Sequence, residues 1–154
     1  MVDAEAIRGA RILVVDDEPA NLALVRQVLA REGYRHVTTE ADPRAAVARV
    51  REGAPDLVVL DLMMPGLDGY AVLDAVHRLT PPDDLLPILV LTADTRVEAR
   101  RRALALGARD VMTKPIDVFE FGLRAGNLLQ LRFLVAALRA GRGRTGGDAE
   151  GPEG

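Results

Sequence analysis

Residues 56–61 read Asp-Leu-Val-Val-Leu-Asp, a continuous apolar run that ends in a carboxylate. Such a run predicts a strand covered on both faces, as strands of parallel sheets are. Similar runs occupy Ile12–Val15 and Ile88–Leu91, on either side of it along the chain. Together the three stretches predict a parallel sheet with helices packed on both of its faces.

Outward from this centre, five strands are predicted, with helical segments between them. The predicted strands are Arg11–Val15, Arg35–Thr39, Asp56–Leu60, Pro87–Leu91 and Arg109–Met112. The second and fifth are less continuously apolar, which indicates positions at the edges of the sheet. Because strand and helix alternate without a repeat of fixed length, we expect an α/β, doubly wound domain built from right-handed crossovers.

Polar residues and glycines mark the predicted ends of the helices. Side chains at a helix start accept hydrogen bonds from free backbone N–H groups, and glycine commonly follows a helix end. The predicted starts are Asp42-Pro43, Asp68 before Gly69, and two capping boxes, Thr95–Glu98 and Asp117–Glu120; the predicted stops are Gly33, Gly53 and Gly107.

The composition limits the chemistry available to the chain. With 154 residues, 49% of them hydrophobic, it suits one domain with its own core. It has no cysteine and only two histidines, which excludes disulfides, thiolate metal sites and thiol nucleophiles. A net charge of −3 with 3% aromatic residues argues against direct nucleic-acid binding. No apolar run approaches the roughly 18 residues of a membrane span, and the first residues lack a signal-peptide pattern, so we expect a cytoplasmic protein.

Reactive side chains collect after four of the five predicted strands. In open parallel sheets, ligands bind beyond the carboxyl ends of the strands. These ends carry Asp16, Asp17, Asp61, Thr92 and Lys114, the last being the only lysine among 20 basic residues. A lone lysine in a sequence that otherwise uses arginine favours a role for a compact charge on a flexible stem.

Three carboxylates in one pocket need a cation. Two unit charges 4 Å apart repel by about 4 kcal/mol at an effective dielectric constant near 20. With no cysteine, and with no imidazole near these strand ends, the expected partner is a hard ion such as Mg²⁺. Mg²⁺, an ammonium group and a hydroxyl suit a phosphoryl group, and Asp61 is best placed to attack it as a nucleophile.

The motifs Asp16-Asp17, Asp61–Gly69, Thr92-Ala93 and Lys114-Pro115 together resemble the receiver domain of bacterial two-component response regulators. The resemblance extends over roughly residues 10–129 and implies a flavodoxin-like sheet of strand order 2-1-3-4-5. It implies that Asp61 is the phosphoacceptor, phosphorylated by a sensor histidine kinase or a phosphotransfer protein. It also implies a signalling switch rather than an enzyme that turns over a substrate.

Mg²⁺ is the cofactor that this resemblance implies. Asp17 and Asp61 would ligate the ion together with the backbone carbonyl of Met63. Asp16 would act mainly through bound water. The site is therefore expected to combine three carboxylates with one main-chain oxygen.

The phosphoryl group itself would be bound by Thr92, Ala93 and Lys114, again by resemblance. A cis peptide before Pro115 would aim the lysine into the pocket. Movement of Thr92 and Lys114 towards the phosphoryl group would then change the face formed by the fourth and fifth predicted helices and the fifth strand.

Three positions are expected to modify this behaviour. Receivers often carry an aromatic residue three positions before the lysine, where this chain has Val111, so we expect a smaller or differently routed response along the fifth strand. Met63 and Asp94 lie two residues beyond Asp61 and Thr92 and would tune hydrolysis of the phosphoryl group. The apolar Met63 would hinder water and favour a long-lived aspartyl phosphate.

Two other functions fit parts of the pattern. A Mg²⁺-dependent phosphohydrolase could also use Asp61 as its nucleophile, but such enzymes resemble Asp-x-Asp, and the second position here is Met63. A receiver-like scaffold that is never phosphorylated would not need all of the acidic, hydroxyl and lysine residues at the strand ends. A turnover assay and a labelling assay separate these alternatives from the switch.

The predicted domain boundaries are an N-terminal extension (1–9), a receiver domain (10–129), a connector helix (127–140) and a disordered, glycine-rich tail (141–154). Residues 117–140 predict one helix of about 24 residues, roughly 36 Å long. Gly122 and Gly126 within it either permit close helix packing or mark a bend.

The connector predicts a partner, because it carries apolar residues at helical spacing that the domain does not need for its own core: Leu128, Leu131, Val135 and Leu138. We expect a homodimer or contact with an output domain through this helix. Its sequence also resembles the connectors of regulators whose output domains make or degrade cyclic dinucleotides.

Other conspicuous residues have simpler explanations. Asp17 before Pro19 could cap a helix, an alternative that the four combined motifs outweigh. His36 and His77 are predicted away from the strand ends and are expected to be structural. Four arginines on one helix predict a solvated face rather than a nucleic-acid surface: Arg96, Arg100, Arg101 and Arg102.

Overall fold

The fold is described by a computed structural model that covers residues 3–149, with side chains described for residues 3–142. It contains a five-stranded sheet in the order β2-β1-β3-β4-β5, and every neighbouring pair of strands is parallel. The strands are β1 (Arg11–Val15), β2 (His36–Glu40), β3 (Leu57–Asp61), β4 (Ile88–Thr92) and β5 (Asp110–Thr113). The predicted doubly wound, flavodoxin-like architecture is therefore confirmed.

Helices cover both faces of the sheet. They are α1 (Ala4–Arg8), α2 (Pro19–Arg31), α3 (Ala46–Gly53) after a short 3₁₀ helix (Pro43–Ala45), α4 (Gly69–His77), α5 (Val97–Ala105) and α6 (Val118–Ala149). One core joins α1, α2 and α6 to the sheet, and the other joins α3, α4 and α5 to its opposite face. The fourth and fifth predicted helices correspond to α5 and α6, because α1 lies within the N-terminal extension.

Alternation of side chains along the buried strands explains the two cores. In β3, Leu57 and Val59 enter the core under α2 and α6, whereas Val58 and Leu60 enter the core under α3 and α4. All five residues of β3 and of β4 are buried, as expected for central parallel strands. Asp61 and Thr92 are the last residues of these strands, so the sheet itself holds them in place.

Four of the five strands lie one residue further along the chain than predicted. The prediction followed the apolar runs, but strand limits are set by backbone pairing, which does not depend on side-chain polarity. Asp61 pairs with Leu91 in register, and Thr92 pairs with Thr113. Asp61 and Thr92 thus belong to the sheet, whereas Asp16, Asp17 and Lys114 lie just after the ends of β1 and β5.

The predicted helix ends are only partly right. Asp42 and Asp68 cap their helices through side-chain oxygens, and Asp117 accepts a hydrogen bond from the Glu120 N–H. The Thr95 capping box is wrong, because α5 begins after Arg96, which makes no side-chain cap. Gly33 and Gly107 follow their helices with positive φ, but Gly53 is the last residue of α3, and Ala54 takes the left-handed conformation instead (φ 43°).

Helix α6 is one continuous helix of 32 residues. Gly122 favours the close-packing alternative: a Cβ there would lie 3.1 Å from a Glu32 carboxylate oxygen just after α2. The predicted connector at 127–140 is part of this helix, but Leu128 is buried in the core, so its prediction as surplus apolar surface is wrong. The helix also continues past the predicted start of the disordered tail, since each added residue contributes a backbone hydrogen bond even where glycine lowers helix propensity. Residues 150–154 of that predicted tail lie outside the described residues.

Within residues 3–149, none of the helices is long and apolar enough to cross a membrane.

Candidate functional site

Three carboxylates meet at the carboxyl end of the sheet. Asp16 follows β1, Asp61 ends β3, and both are almost fully buried, whereas the neighbouring Asp17 is exposed. One oxygen from each lies within 4.8 Å of the others. The fold therefore brings together residues that are separated by more than 40 positions in the sequence.

Lys114 is the basic partner of this cluster. Its Nζ atom lies 3.0 Å from Asp61 Oδ2 and 3.5 Å from Asp16 Oδ2. Burial raises the pKa of Asp61 above its usual value, and the charge of Asp16 raises it further, while the Met63 N–H and Lys114 offset only part of the rise. Burial by itself lowers the pKa of Lys114, but the two carboxylates outweigh it and raise this pKa. The pocket thus holds more negative than positive charge.

Main-chain groups fix the orientation of the two buried acids. The Met63 N–H donates to Asp61 Oδ1 over 3.1 Å, and the Glu18 N–H donates to Asp16 Oδ1 over 2.9 Å. Each carboxylate thus keeps its other oxygen directed towards Lys114. A short turn after each strand supplies this donor, so the strand end and its loop together aim the side chain.

The loop after β3 is held close to α4 by a glycine. A Cβ on Gly69 would collide with the backbone of Leu62, so no larger residue fits without movement of the loop. In the sequence, Gly69 is recognisable only as the residue after the Asp68 cap and as the end of the Asp61–Gly69 motif. Met63, which follows Leu62 in this loop, is 55% exposed and lies at the edge of the pocket. Met64 is buried. The role of the Met63 backbone carbonyl as a metal ligand remains a prediction.

Thr92 and Lys114 lie on adjacent strand ends. The backbone N–H of Lys114 donates to the Thr92 carbonyl over 2.8 Å, and the Lys114–Pro115 peptide is cis. The Thr92 hydroxyl oxygen accepts a hydrogen bond from the Asp94 N–H over 3.1 Å, while Ala93 between them is exposed. The hydroxyl is therefore engaged with its own loop in this structure.

Val111 is buried in β5, where the resemblance leads one to expect an aromatic residue. Its carbonyl, on the edge strand, accepts a hydrogen bond from Arg100 of α5 over 3.0 Å. Asp110, the preceding residue, pairs with Arg124 of α6 at 2.7 Å. The two edge helices are thus tied to β5 by arginines rather than by an aromatic side chain.

The remaining predicted residues lie outside the pocket. His36 begins the edge strand β2, and His77 ends α4 against Gly107, so neither reaches the carboxyl end of the sheet. The four arginines of the predicted solvated face are all exposed. Arg96 also binds the side chain of Asp94, a contact that was not predicted, although the Asp-x-Arg spacing at the start of α5 could have indicated it.

The donor set fits a hard divalent cation. Oxygen ligands alone, two of them on nearly buried carboxylates, are those that Mg²⁺ accepts, and the exposed Asp17 leaves a path for the ion and its waters. The net negative charge of the pocket favours such an ion. Asp16, Asp17 and Asp61 are the residues that could hold it.

Comparison with known proteins agrees with this geometry. The family model of the response regulator receiver domain matches residues 12–122. A probable transcriptional regulatory protein of Mycobacterium tuberculosis, TcrX, is 42% identical over 119 residues, which cover 77% of this chain and 49% of TcrX. The chain spans about half the length or less of the curated relatives that it matches.

Solved structures show the same fold. NtrX from Brucella abortus superposes with a TM-score of 0.78 at 34% identity, over 89% of this chain and 30% of NtrX. A CheY-like receiver domain protein from Methanospirillum hungatei superposes with a TM-score of 0.72 at 26% identity, over 80% of this chain and 96% of that one. The chain therefore belongs to the response regulator receiver domain family.

Proposed function

We propose that the chain is a phosphorylation-dependent switch that accepts a phosphoryl group on Asp61 in a Mg²⁺-dependent reaction. The observation that carries the proposal is the buried carboxylate cluster with one lysine 3.0 Å from Asp61. The donor would be the phosphohistidine of a sensor kinase or of a phosphotransfer protein. This chain would act as a signalling protein and not as a turnover enzyme.

The reaction replaces one bond to phosphorus with another. The phosphorus–nitrogen bond of the donor breaks, a bond from an Asp61 oxygen to phosphorus forms, and the imidazole leaves with the electron pair. Lys114 would move from the Asp61 carboxylate to an oxygen of the transferred group. Asp16, Asp17 and Asp61 would hold Mg²⁺, which would supply positive charge to offset that of the transferred group. The Met63 N–H keeps Asp61 aimed into the pocket.

Switching would follow from the added charge. The Thr92 hydroxyl would donate its own hydrogen to a phosphoryl oxygen, and a shift of the side chain towards that oxygen would pull on or break its hydrogen bond from the Asp94 N–H. That change moves the loop before α5 and shifts the α5–β5–α6 face between two populated states. Because Val111 replaces the usual aromatic residue, we expect the response along β5 to be small and to pass through the arginine contacts of Arg100 and Arg124.

Helix α6 offers the surface for a partner. Four of its exposed side chains fall within about 100° around the helix axis, given 3.6 residues per turn: Phe119, Leu123, Leu134 and Leu138. An apolar stripe of this kind supports a homodimer or contact with an output domain. The same proposal places the chain in the cytoplasm, without direct contact to membrane or nucleic acid.

The proposal is tested by intact-mass spectrometry after incubation with acetyl phosphate. We expect the wild type to gain one phosphoryl group with Mg²⁺ and none after chelation. Asp61→Asn removes the nucleophile and should gain none, whereas Asp74→Asn, on the outside of α4, should label like the wild type. Equal labelling of Asp61→Asn would contradict the assignment. Absence of label on the wild type would favour the unphosphorylated scaffold.

A turnover assay on small phosphate esters separates the switch from the phosphohydrolase. A switch releases no more than the phosphoryl groups it has taken up, whereas sustained release of phosphate beyond one equivalent would favour the enzyme. Met63, an apolar and exposed residue, occupies the place where such an enzyme would carry its general acid.

A further inference from the structure

An unusual ion pair lies at the start of α5, beside the pocket. The Arg96 guanidinium spans both carboxylate oxygens of Asp94, with Nε 2.9 Å from Oδ1 and Nη2 2.6 Å from Oδ2. The Arg96 backbone N–H also donates to Asp94 Oδ1 over 3.0 Å. Two-point pairing of this geometry is among the stronger hydrogen-bonded contacts between side chains.

Helix stability does not account for arginine at this position. Arg96 is the residue before the first turn of α5, where a cation opposes the helix dipole and offers no acceptor for the free N–H groups. Its side chain is 75% exposed, and only 17% of the Asp94 side chain is exposed beneath it. The arginine thus covers the carboxylate at the expense of a better helix start.

Asp94 lies at the phosphoryl end of the pocket. Its backbone N–H is 3.1 Å from the Thr92 hydroxyl oxygen, the group proposed above to bind the phosphoryl group. Thr92 and the loop that carries Asp94 are therefore in direct contact. The only charged group that the described contacts place on this carboxylate is Arg96.

The chemistry of dephosphorylation gives this pair a role. A water oxygen forms a bond to phosphorus, the bond from phosphorus to the Asp61 oxygen breaks, and Asp61 leaves as a carboxylate. The water must also lose a proton, and a free carboxylate beside the pocket would accept it. The hydrogen bonds from the Arg96 side chain and backbone N–H lower the pKa of Asp94 to about 2, which makes the paired carboxylate a weak base.

We propose that Arg96 is a positioning residue that holds Asp94 away from the attacking water and so prolongs the lifetime of the aspartyl phosphate. The proposal rests on phosphorylation of Asp61 and adds a residue that sets how long the signal lasts. Because Arg96 is exposed, salt should weaken the pair and shorten the lifetime.

The test is a double-mutant cycle on the lifetime of the phosphorylated full chain, labelled with acetyl phosphate, freed of donor and followed by intact mass. Arg96→Ala should shorten the half-life about tenfold, because a freed general base accelerates proton transfer. In an Asp94→Asn background the same substitution should have no effect. Arg96→Lys keeps the charge but not the two-point geometry, so its half-life should be intermediate. Arg101→Ala, an exposed arginine on the same helix, is the matched control and should behave like the wild type.

Each outcome has a definite meaning. A half-life of Arg96→Ala within about twofold of the wild type overturns the proposal, and so does an equal loss of lifetime in the Asp94→Asn background. A shorter lifetime accompanied by weaker Mg²⁺ binding or a lower unfolding midpoint would indicate a general disturbance and also overturns it. If the wild type takes up no phosphoryl group, the proposed function itself is overturned. The lifetime measurements use labelled protein, so they test only the role of Arg96.

Discussion

The two ends of the sheet each gather three aspartates, but they neutralise them differently. At the carboxyl end, Asp16, Asp17 and Asp61 share the single Lys114. At the amino end, the acids before β3 and β4 meet two arginines from α6. The contacts there join Arg132 to Asp56 (3.4 Å) and Asp84 (2.6 Å), and Arg139 to Asp83 (3.4 Å) and Asp84 (2.9 Å).

The two clusters differ in how completely their negative charge is neutralised, and this difference indicates a structural role for one and a binding role for the other. At the amino end, planar guanidinium groups and the Leu85 carbonyl, which accepts from Arg132 over 3.0 Å, complete a fixed network. At the carboxyl end, negative charge is left in excess. Binding a cation or removing a negative charge there should therefore stabilise the folded protein. The first cluster attaches α6 to the domain, and the second leaves negative charge that a cation could neutralise.

The largest effect should follow from removing the cation at the carboxyl end. Lys114→Met deletes the charge that would stabilise the transferred phosphoryl group, and loss of one such contact typically lowers a rate about 10²- to 10³-fold. The effect of the substitution is measured as the rate of labelling by acetyl phosphate. Arg139→Met, at the other end of the sheet, is the control and should label at the wild-type rate. A Lys114→Met rate within tenfold of the wild type would contradict the comparison.

The second effect is on stability. Arg132→Met leaves Asp56 without its charged partner and Asp84 with Arg139 alone, in a part-buried site, which should lower the free energy of unfolding by about 2–3 kcal/mol. Urea titration measures this change. Arg78→Met breaks an exposed pair with Asp74 and should alter it by less than about 0.5 kcal/mol. Equal effects of the two substitutions would show that the amino-end network contributes no more to stability than an exposed ion pair.

A third, smaller effect should have opposite signs at the two ends. Without Mg²⁺, Asp61→Asn relieves excess negative charge in a buried site and should raise the free energy of unfolding by about 1 kcal/mol. Asp84→Asn removes a paired charge and should lower it by about the same amount. Destabilisation by Asp61→Asn in chelator would contradict the idea that the pocket is poorly neutralised.

The smallest effect concerns pH. Burial alone raises the pKa of Asp84, but the Leu85 N–H, Arg132 and Arg139 outweigh it and hold this pKa below its usual value of 3.8. A lowered pKa contributes stability that is present above about pH 4 and is lost as the pH falls through the folded-state value. The stability difference between wild type and Asp84→Asn should therefore shrink between about pH 6 and pH 3 in urea titrations. A difference that stays constant over this range would contradict the assignment.

The sequence predicts most of the fold because its central strands are continuously apolar. β1, β3 and β4 are buried on both faces, and their carboxyl ends carry the polar residues that form the pocket. The predicted limits of four strands lie one residue too early, because backbone pairing continues past the apolar run. The short α1 gives no periodic signal in five residues. It is stabilised by the buried Ile7, which packs in the core shared with α6, by the Asp3 cap and by the ion pair between Glu5 and Arg35.

The contacts that the sequence could not predict are those made by arginine. Arg132 has no feature in the sequence that distinguishes it from exposed arginines such as Arg101, and Arg96 has only its spacing of two residues from Asp94. Their roles depend on which carboxylate the fold places opposite each one, 76 residues away for Asp56 and two residues away for Asp94. Lys114 could be predicted because it is the only lysine and follows a strand.

The central claim, that Asp61 carries the phosphoryl group, is tested most directly by chemical trapping. Borohydride reduces an aspartyl phosphate to homoserine, so peptide mass spectrometry after labelling and reduction identifies the modified carboxylate. The proposed mechanism predicts homoserine at position 61 when Mg²⁺ is present, and unmodified aspartate there in its absence. Homoserine at position 16 or 17, or at none of the three, would contradict it.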